Sequence, residues 1–189
     1  MIAFDIDGVM VDFVNEIFIP SAKSVLDRDI HVVSPGDYDF KTHLGISEVE
    51  EKMVWVSDAL CDFMAQARPI PHGIRLIDSA SDFFFITSRG THGAFPEQNA
   101  RNKAIRDATD YWVRYHIGFP SAEIVFAKPE EKAPVVREYG SLVMWDDHPE
   151  TAFSVADDGT PVFMPVYGYN EHIFHDNVFR VSGWTNGRY

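Results

Sequence analysis

Five short apolar runs recur along the chain, and stretches of mixed polarity lie between them. The runs span Ile2 to Ile6, Phe83 to Ile86, Ile124 to Ala127, Leu142 to Trp145 and Pro161 to Met164. Most are almost wholly apolar, which is typical of strands buried on both faces of a parallel sheet. Helices are predicted over Phe13 to Leu26, Ser47 to Ala67, Gly73 to Ala80, Glu97 to Tyr115 and Pro134 to Tyr139. This alternation predicts an α/β fold, a Rossmann-like parallel sheet with helices on both faces.

The stretch between the first two runs is far longer than a single crossover needs. Prolines and glycines interrupt it at Pro35-Gly36 and at Pro69-Ile70-Pro71, and no clear strand follows its first helix. We therefore expect residues 14–72 to form a small helical cap inserted after the first strand. Residues 1–13 and 73–189 would then form the Rossmann-like core. Ordinary crossover helices are the alternative interpretation.

Polar residues follow four of the five runs, at the points where the predicted strands end. The carboxyl ends of parallel strands meet at one edge of a sheet, and ligands bind there. An all-oxygen set of acids without Cys or His suits Mg²⁺, whereas hydroxyls, a lysine and helix N-termini suit phosphate oxygens. In chain order, these residues are Asp5, Asp7, Gly8, Thr87, Ser88, Lys128, Lys132, Asp146 and Asp147.

Two lysines compete for one place at this edge. Proline is tolerated in the first turn of a helix and biases the preceding residue away from helical angles. A helix that begins near Pro134 would place Lys132 just before it, facing the strand ends. A helix that begins at Pro129 would put Pro134 in its second turn, which is disfavoured. We therefore favour Lys132 over Lys128.

Composition narrows the range of partners. The formal net charge is -13, which argues against a nucleic-acid polymer or an anionic membrane as partner, because both require basic surfaces. The single cysteine, Cys61, cannot form an intramolecular disulfide. We see no signal peptide and no apolar stretch of membrane-spanning length. These features predict a cytoplasmic protein with a small-molecule substrate, and a homodimer is left open.

The ordered motifs resemble those of the haloacid dehalogenase superfamily of phosphatases. DIDGV is similar to the first motif of the superfamily, ITS to its second, the lysine to its third and WDD to its fourth. Nearly the whole chain resembles the 5'(3')-deoxyribonucleotidases within it, through DIDGVMVDF, LGISEVEEKMVWVSDALCDFMAQARPIPHGI, YWVRYHIG and SGW. The segment RGTHGAFPEQNARN departs from that family, with Arg89 where a proline is expected.

The resemblance implies a mechanism through an aspartyl phosphate on Asp5. Asp7 would protonate the leaving oxygen, then activate water, and would also bind the metal through its backbone carbonyl. Thr87 would bond a phosphate oxygen with Ser88 beside it, and Lys132 would offset phosphate charge. Gly8 would allow the backbone to approach the ligand closely.

The resemblance also implies an Mg²⁺ site formed by Asp5, Asp7, Asp146 and Asp147. Which of Asp146 and Asp147 contacts the metal directly is left open. An acid in the second position, Asp7, favours a phosphatase over a relative that only holds phosphate.

Aromatic residues of the predicted cap are candidates to bind the rest of the substrate, because bases stack on aromatic faces. Phe13 and Phe40 match the stretches that line the base pocket of the nucleotidases. The function expected is therefore dephosphorylation of deoxyribonucleoside monophosphates with Mg²⁺. The alternatives are a phosphatase of a sugar phosphate or of a nucleic-acid 3'-phosphate end, and a non-catalytic nucleotide-binding module.

Overall fold

A six-stranded, wholly parallel sheet forms the centre of the fold. The computed structural model describes residues 1–91 and 96–184. Neighbouring strands follow the order β3-β2-β1-β4-β5-β6, so the predicted parallel α/β sheet is confirmed. The strands are β1 (Ile2–Phe4), β2 (Phe83–Thr87), β3 (Ile124–Phe126), β4 (Val143–Trp145), β5 (Val162–Pro165) and β6 (Val178–Val181).

Helices fill four of the five connections between consecutive strands, and turns form the connection between β5 and β6. A π-helical turn (Phe13–Phe18) leads into the α-helix that begins at Ile19. A second π-helical turn (Val113–Ile117) extends the α-helix that ends at Trp112. The α-helices are α1 (Ile19–Leu26), α2 (Phe40–Leu44), α3 (Glu48–Trp55), α4 (Asp58–Gln66), α5 (Pro71–Asp78), α6 (Pro96–Trp112), α7 (Pro129–Glu138) and α8 (Pro149–Asp157).

Both faces of the sheet are covered, because successive side chains of a strand point to opposite faces. Ala3 of β1 packs in the cluster with residues of α7 and α8. Its neighbour Phe4 packs in the opposite cluster with residues of α1, α3, α4, α5 and α6. Phe84 and Phe85 of β2 divide between the two clusters in the same way.

The segment between β1 and β2 consists of helices and turns, with isolated bridges at Val11 but no strand of the sheet. Its helix α4 packs along α6 and against the first π-helical turn, Phe13–Phe18. We keep residues 14–72 as a proposed cap and call them the cap segment.

The helix predicted from Ser47 to Ala67 is two helices. The capping box of Ser47 and Glu50 starts α3 as expected. A second N-cap then interrupts it, because the Ser57 hydroxyl accepts a hydrogen bond from the Leu60 N–H at 3.3 Å and starts α4. Serine favours helix starts over helix interiors for this reason.

The predicted start of α7 near Pro134 is wrong, because the helix begins at Pro129 and contains Pro134. Pro129 fits the first helical position. Two acids in the first turn, Glu130 and Glu131, complement the helix dipole. The Glu131 carboxylate also accepts a hydrogen bond from the Lys128 N–H at 2.9 Å. These interactions at the N-terminus stabilise the helix by more than it loses through the backbone hydrogen bond that Pro134 cannot make.

The sequence pattern also missed β6, α2 and α8. Strand β6 is a four-residue edge strand that includes Arg180, and Phe179 is exposed, so it lacks the apolar signature of a buried strand. Helix α2 has only five residues, too few for a helical period to show. In the described ranges, no helix is long and apolar enough to cross a membrane.

Candidate active site

Three buried carboxylates meet where β1 and β4 end. Asp5 follows β1, and its N–H donates to the Trp145 carbonyl of β4 at 2.8 Å. Asp146 and Asp147 follow β4 directly. Each of the three acids offers a carboxylate oxygen within 4.8 Å of the others. The sheet order reverses direction between β1 and β4, which is the place where open α/β sheets bind ligands.

Lys132 of α7 reaches this cluster. Its Nζ lies 3.0 Å from Asp5 Oδ2 and 2.9 Å from Asp146 Oδ2, and its side chain is 3% exposed. Lys128 is the N-cap residue of the same helix and makes neither contact. The structure therefore brings Lys132 to the strand ends, although the helix start from which we inferred that position was wrong.

When all three acids are ionised, the cluster carries more negative than positive charge. Burial raises the pKa of Asp5 to about 7, although Lys132 opposes this shift. Burial, together with Asp146 and Asp5, also raises the pKa of Asp147 well above its usual value. Burial lowers the pKa of Lys132, but the Asp146 and Asp5 carboxylates outweigh it and raise that pKa above its usual value. One ammonium group does not balance three carboxylates, so the site suits a further cation.

The donor set fits Mg²⁺ in its chemistry. All three acids offer oxygen ligands, and hard divalent cations prefer oxygen. Asp7 is not part of this cluster. The predicted contribution of its backbone carbonyl to the metal stays a prediction.

The loop after β5 holds Asp147 in place. The Tyr169 hydroxyl donates to Asp147 Oδ2, and the Asn170 side-chain amide donates to the Asp147 carbonyl at 2.8 Å. The Tyr167 hydroxyl donates to the Gly8 carbonyl at 2.5 Å. We missed these residues in the sequence. The strand-end rule that found the acids would have found them if we had applied it to the fifth run.

Gly8 has a conformation and surroundings that only glycine accepts. Its φ of 68° lies in the left-handed region, and a Cβ at this position would collide with the Asp147 carboxyl group. The absence of a side chain therefore lets the loop after β1 lie against the loop after β4.

Asp7 is held by Arg89 across the mouth of the site. The guanidinium binds both carboxylate oxygens, with Nε 3.0 Å from Oδ2 and Nη2 2.5 Å from Oδ1. The Arg89 side chain is 3% exposed and that of Asp7 32%. The guanidinium carbon also lies 5.7 Å from the ring centre of Phe13 and 5.9 Å from that of Trp112. The residue that departs from the nucleotidase pattern thus orients the predicted acid–base group.

Thr87 and Ser88 lie at the same edge. Thr87 is buried at the end of β2, and its hydroxyl accepts the Arg89 N–H at 3.3 Å. Ser88 lines the cleft over the cluster. His148 was not among the predicted site residues. Its N–H donates to Asp146 Oδ1 at 2.8 Å, and burial lowers the pKa of its imidazole.

A cleft of about 470 Å³ connects the cluster to the cap segment. This volume is in the usual range for small-molecule sites. Phe13, Phe40 and Trp55 line it, and Phe18 supports Phe40 from beneath at a ring-centre distance of 4.2 Å. Both predicted base-pocket residues, Phe13 and Phe40, therefore lie in the same cleft as Asp5. Part of the segment that departs from the nucleotidases, residues 92–95, lies outside the described residues.

No protein-family model matches the sequence, and no curated protein matches it either. Solved structures do match. A haloacid dehalogenase-like family hydrolase from Streptococcus pneumoniae is 15% identical, with a TM-score of 0.57, over 95% of this chain and 92% of that chain. A predicted phosphoglycolate phosphatase from Haemophilus somnus is also 15% identical over the same shares of the two chains, with a TM-score of 0.52. The fold is therefore that of haloacid dehalogenase-like hydrolases.

Proposed function

We propose that this protein is an Mg²⁺-dependent phosphomonoesterase of the haloacid dehalogenase superfamily that acts on deoxyribonucleoside monophosphates. The observation that carries the proposal is the contact of Lys132 with both Asp5 and Asp146 in a buried cluster at the carboxyl edge of the sheet. A carboxylate nucleophile and a neighbouring cation are what phosphoryl transfer from a negatively charged ester requires.

Asp5 is the nucleophile in this proposal. The Ile6 N–H donates to its Oδ1 at 2.8 Å, and Lys132 holds its Oδ2, so the carboxylate has a defined direction. One of its oxygens attacks phosphorus, the bond to the leaving oxygen breaks, and an aspartyl phosphate forms. Mg²⁺, held by Asp5, Asp146 and Asp147, would supply charge stabilisation for the phosphate oxygens.

Asp7 carries the proton steps. It protonates the leaving oxygen in the first step and takes a proton from water in the second, when water attacks phosphorus and frees Asp5. The paired contacts from Arg89 set the direction of this carboxylate. Lys132 offsets the phosphate charge throughout, and the Thr87 hydroxyl is the candidate donor to a phosphate oxygen.

The nucleotide part of the proposal rests on the aromatic lining. Phe13, Phe40 and Trp55 present ring surfaces to the same cleft as Asp5. Base–aromatic stacking contributes about 1–3 kcal/mol per base. A sugar phosphate remains the second candidate, because the cap segment also lines the cleft with carboxylates that accept hydrogen bonds from hydroxyls.

The test is a phosphate-release screen with the purified protein and Mg²⁺. The substrates are deoxyribonucleotides, ribonucleotides, sugar phosphates and, from the name of the Haemophilus somnus protein, phosphoglycolate. We expect deoxyribonucleotides to give the highest kcat/KM, and EDTA to abolish release until Mg²⁺ is restored. Phosphate release from none of these esters, or full release after thorough chelation, would contradict the proposed chemistry. A preference for sugar phosphates would show that the proposed substrate is wrong and would leave the proposed phosphatase reaction unchanged.

A further inference from the structure

His43 has one ring nitrogen without a hydrogen-bond partner among the residues that the structure describes. The residue lies in α2 of the cap segment, is 4% exposed and lines the cleft. Its Nδ1 lies 2.9 Å from the Asp37 carbonyl oxygen. Its Nε2 is buried and has no hydrogen-bond partner among the described residues. A buried polar atom without a partner is costly, and a ligand in this cleft is one group that can supply the partner.

The Asp37 contact decides which hydrogen-bonding role Nε2 has. A carbonyl oxygen only accepts, so Nδ1 must carry the hydrogen. In the neutral imidazole the other nitrogen is then an acceptor, and the tautomer is fixed by the contact that the first nitrogen makes. His43 therefore offers a lone pair at Nε2, and its complement is an N–H or O–H group.

The surroundings of His43 point to the same kind of ligand. Phe40 precedes it by three residues, which puts both on one side of the helix, and both line the cleft. The described cleft residues of the cap segment include two carboxylates, Asp37 and Glu51, and no lysine or arginine. Of the described cleft residues, Lys132 and Arg89 are the cationic ones. Both lie outside the cap segment and already contact carboxylates.

We propose that His43 is a specificity-determining residue, whose Nε2 accepts a hydrogen bond from an N–H group of the substrate base while the ring of that base packs on Phe40 or Phe13. The cleft would accordingly disfavour a substrate with an anionic group at its far end. This inference rests on the proposed function, and it narrows the substrate to a phosphomonoester with a flat, hydrogen-bond-donating ring.

Two variants of His43 test the roles of the two ring nitrogens separately. An asparagine amide reaches about as far as Nδ1, so His43→Asn keeps a donor for the Asp37 carbonyl and removes the acceptor at Nε2. A glutamine reaches about as far as Nε2, so His43→Gln keeps a polar group at the far edge and weakens the Asp37 contact. Circular dichroism and thermal melting establish that both variants are folded.

Two pairs of substrates test the donor. The first pair is thymidine monophosphate and its N3-methyl form, and the second is deoxycytidine monophosphate and its N4,N4-dimethyl form. All assays use one buffer at pH 8. For one pair at least, we expect wild-type kcat/KM to fall about tenfold on methylation. His43→Asn should lower kcat/KM for the unmethylated ester by about the same factor and leave the methylated ester unchanged, and His43→Gln should recover part of the loss.

Three results would overturn the inference. One is equal kcat/KM within both pairs for the wild type. Another is a kcat/KM that still falls on methylation in His43→Asn. The third is a kcat/KM for the methylated ester that is higher in His43→Asn than in the wild type, because this would show that His43 clashes with the methyl group and does not accept a hydrogen bond. Phosphoglycolate should be at least a hundredfold poorer than the nucleotide, and a preference for it would also overturn the inference.

A binding measurement separates this inference from the proposed chemistry. Thymidine and N3-methylthymidine carry no phosphate, so their affinities report on the cap side of the cleft alone. We expect thymidine to bind about tenfold more tightly to the wild type, and the two nucleosides to bind equally to His43→Asn. That result would support the role of His43 even if no ester were hydrolysed. Failure to bind either thymidine or deoxycytidine, or equal affinities of the wild type within both the N3-methyl and the N4,N4-dimethyl nucleoside pair, would reject it even in an active phosphatase.

Discussion

The two ends of the cleft are built in different ways. The end at the sheet edge contains charged groups held by the ends of β1 and β4 and by α7, with contacts of 2.9 and 3.0 Å from one lysine. The end at the cap segment contains aromatic rings from the π-helical turn, α2 and α3, with ring-centre distances of 5.8 to 6.0 Å. The first end is ionic, whereas the second is apolar apart from acceptors such as His43.

Under the proposed function, this contrast separates the reaction from the choice of substrate. Phosphate contacts are common to every phosphomonoester, so the sheet edge cannot distinguish one ester from another. Selection must come from groups that touch the rest of the molecule. Substitutions at the sheet edge should therefore lower turnover of every substrate, and substitutions at the cap end should act on some substrates only.

The largest effect is expected at Asp5, the proposed nucleophile. Asp5→Asn keeps the shape of the side chain but removes the attacking charge, and kcat should fall by about 10³-fold or more on every ester. The circular dichroism spectrum should remain that of the wild type. Asp78→Asn, an exposed acid on α5, is the matched control and should keep full turnover. Near-normal kcat in Asp5→Asn would exclude the covalent mechanism.

The next largest effect on kcat is expected from substitution of Lys132, in contrast to substitution of Lys128. Lys132→Ala removes the cation that contacts Asp5 and Asp146, and kcat should fall by about 10²–10³-fold, as for other groups that stabilise transition-state charge. Lys128→Ala is the matched control on the same helix and should change kcat less than about threefold, within the range of surface substitutions. The reverse ranking would remove Lys132 from the reaction.

Arg89→Ala should affect esters according to their leaving groups. Without Arg89 the Asp7 carboxylate loses both of its guanidinium contacts. The contribution of a positioned general acid is about 10²–10⁴-fold, and part of it should be lost for a nucleotide. An aryl phosphate, which needs little protonation of its leaving oxygen, should lose much less. Equal losses on the two esters would show that Arg89 does not act through Asp7.

Phe13→Ala should lower kcat/KM for a deoxyribonucleotide by about tenfold, in line with about 1–3 kcal/mol of lost stacking. A small generic phosphoester should be hydrolysed almost as before, because it does not reach the aromatic rings. Kinetics on both esters with the same preparation provide the comparison. Equal losses would show that Phe13 only supports the packing beside Phe18 and Arg89.

The smallest effect concerns metal and pH, measured by thermal melting. The pKa of Asp5 is raised by burial from 3.8 to about 7, so the folded chain binds this proton more tightly than the unfolded chain. The contribution of Asp5 to the free energy of unfolding of the metal-free protein should therefore decrease as the pH rises from 4 to 7. Mg²⁺ needs the ionised carboxylates, so its stabilising effect should grow over the same interval.

At pH 7 and saturating Mg²⁺ we expect the melting temperature to rise by about 2–8 °C. Asp146→Asn should abolish most of that rise. A rise that is the same at pH 5 and pH 7, or that survives in Asp146→Asn, would locate the metal elsewhere.

Several features could be predicted because neighbouring residues determine them. Apolar runs predicted five of the six strands, and the residues near or directly after the ends of those strands include Asp5, Asp146 and Asp147. Position in a parallel sheet then brings such residues together without any knowledge of side-chain packing. Lys132 was chosen on a wrong helix start, so its contact with Asp5 is a finding of the structure and not a success of the argument for it.

The strand pattern and the acids at the strand ends were determined by the sequence itself, because periodicity and chain order need no long-range contact. Only the tertiary structure decided that Arg89 binds Asp7, 82 positions away, and that Tyr167 holds the Gly8 carbonyl from 159 positions away. It likewise decided that Nε2 of His43 has no hydrogen-bond partner within residues 1–91 and 96–184. Such pairings depend on how helices and loops pack, and many packings share the same local pattern of polar and apolar residues.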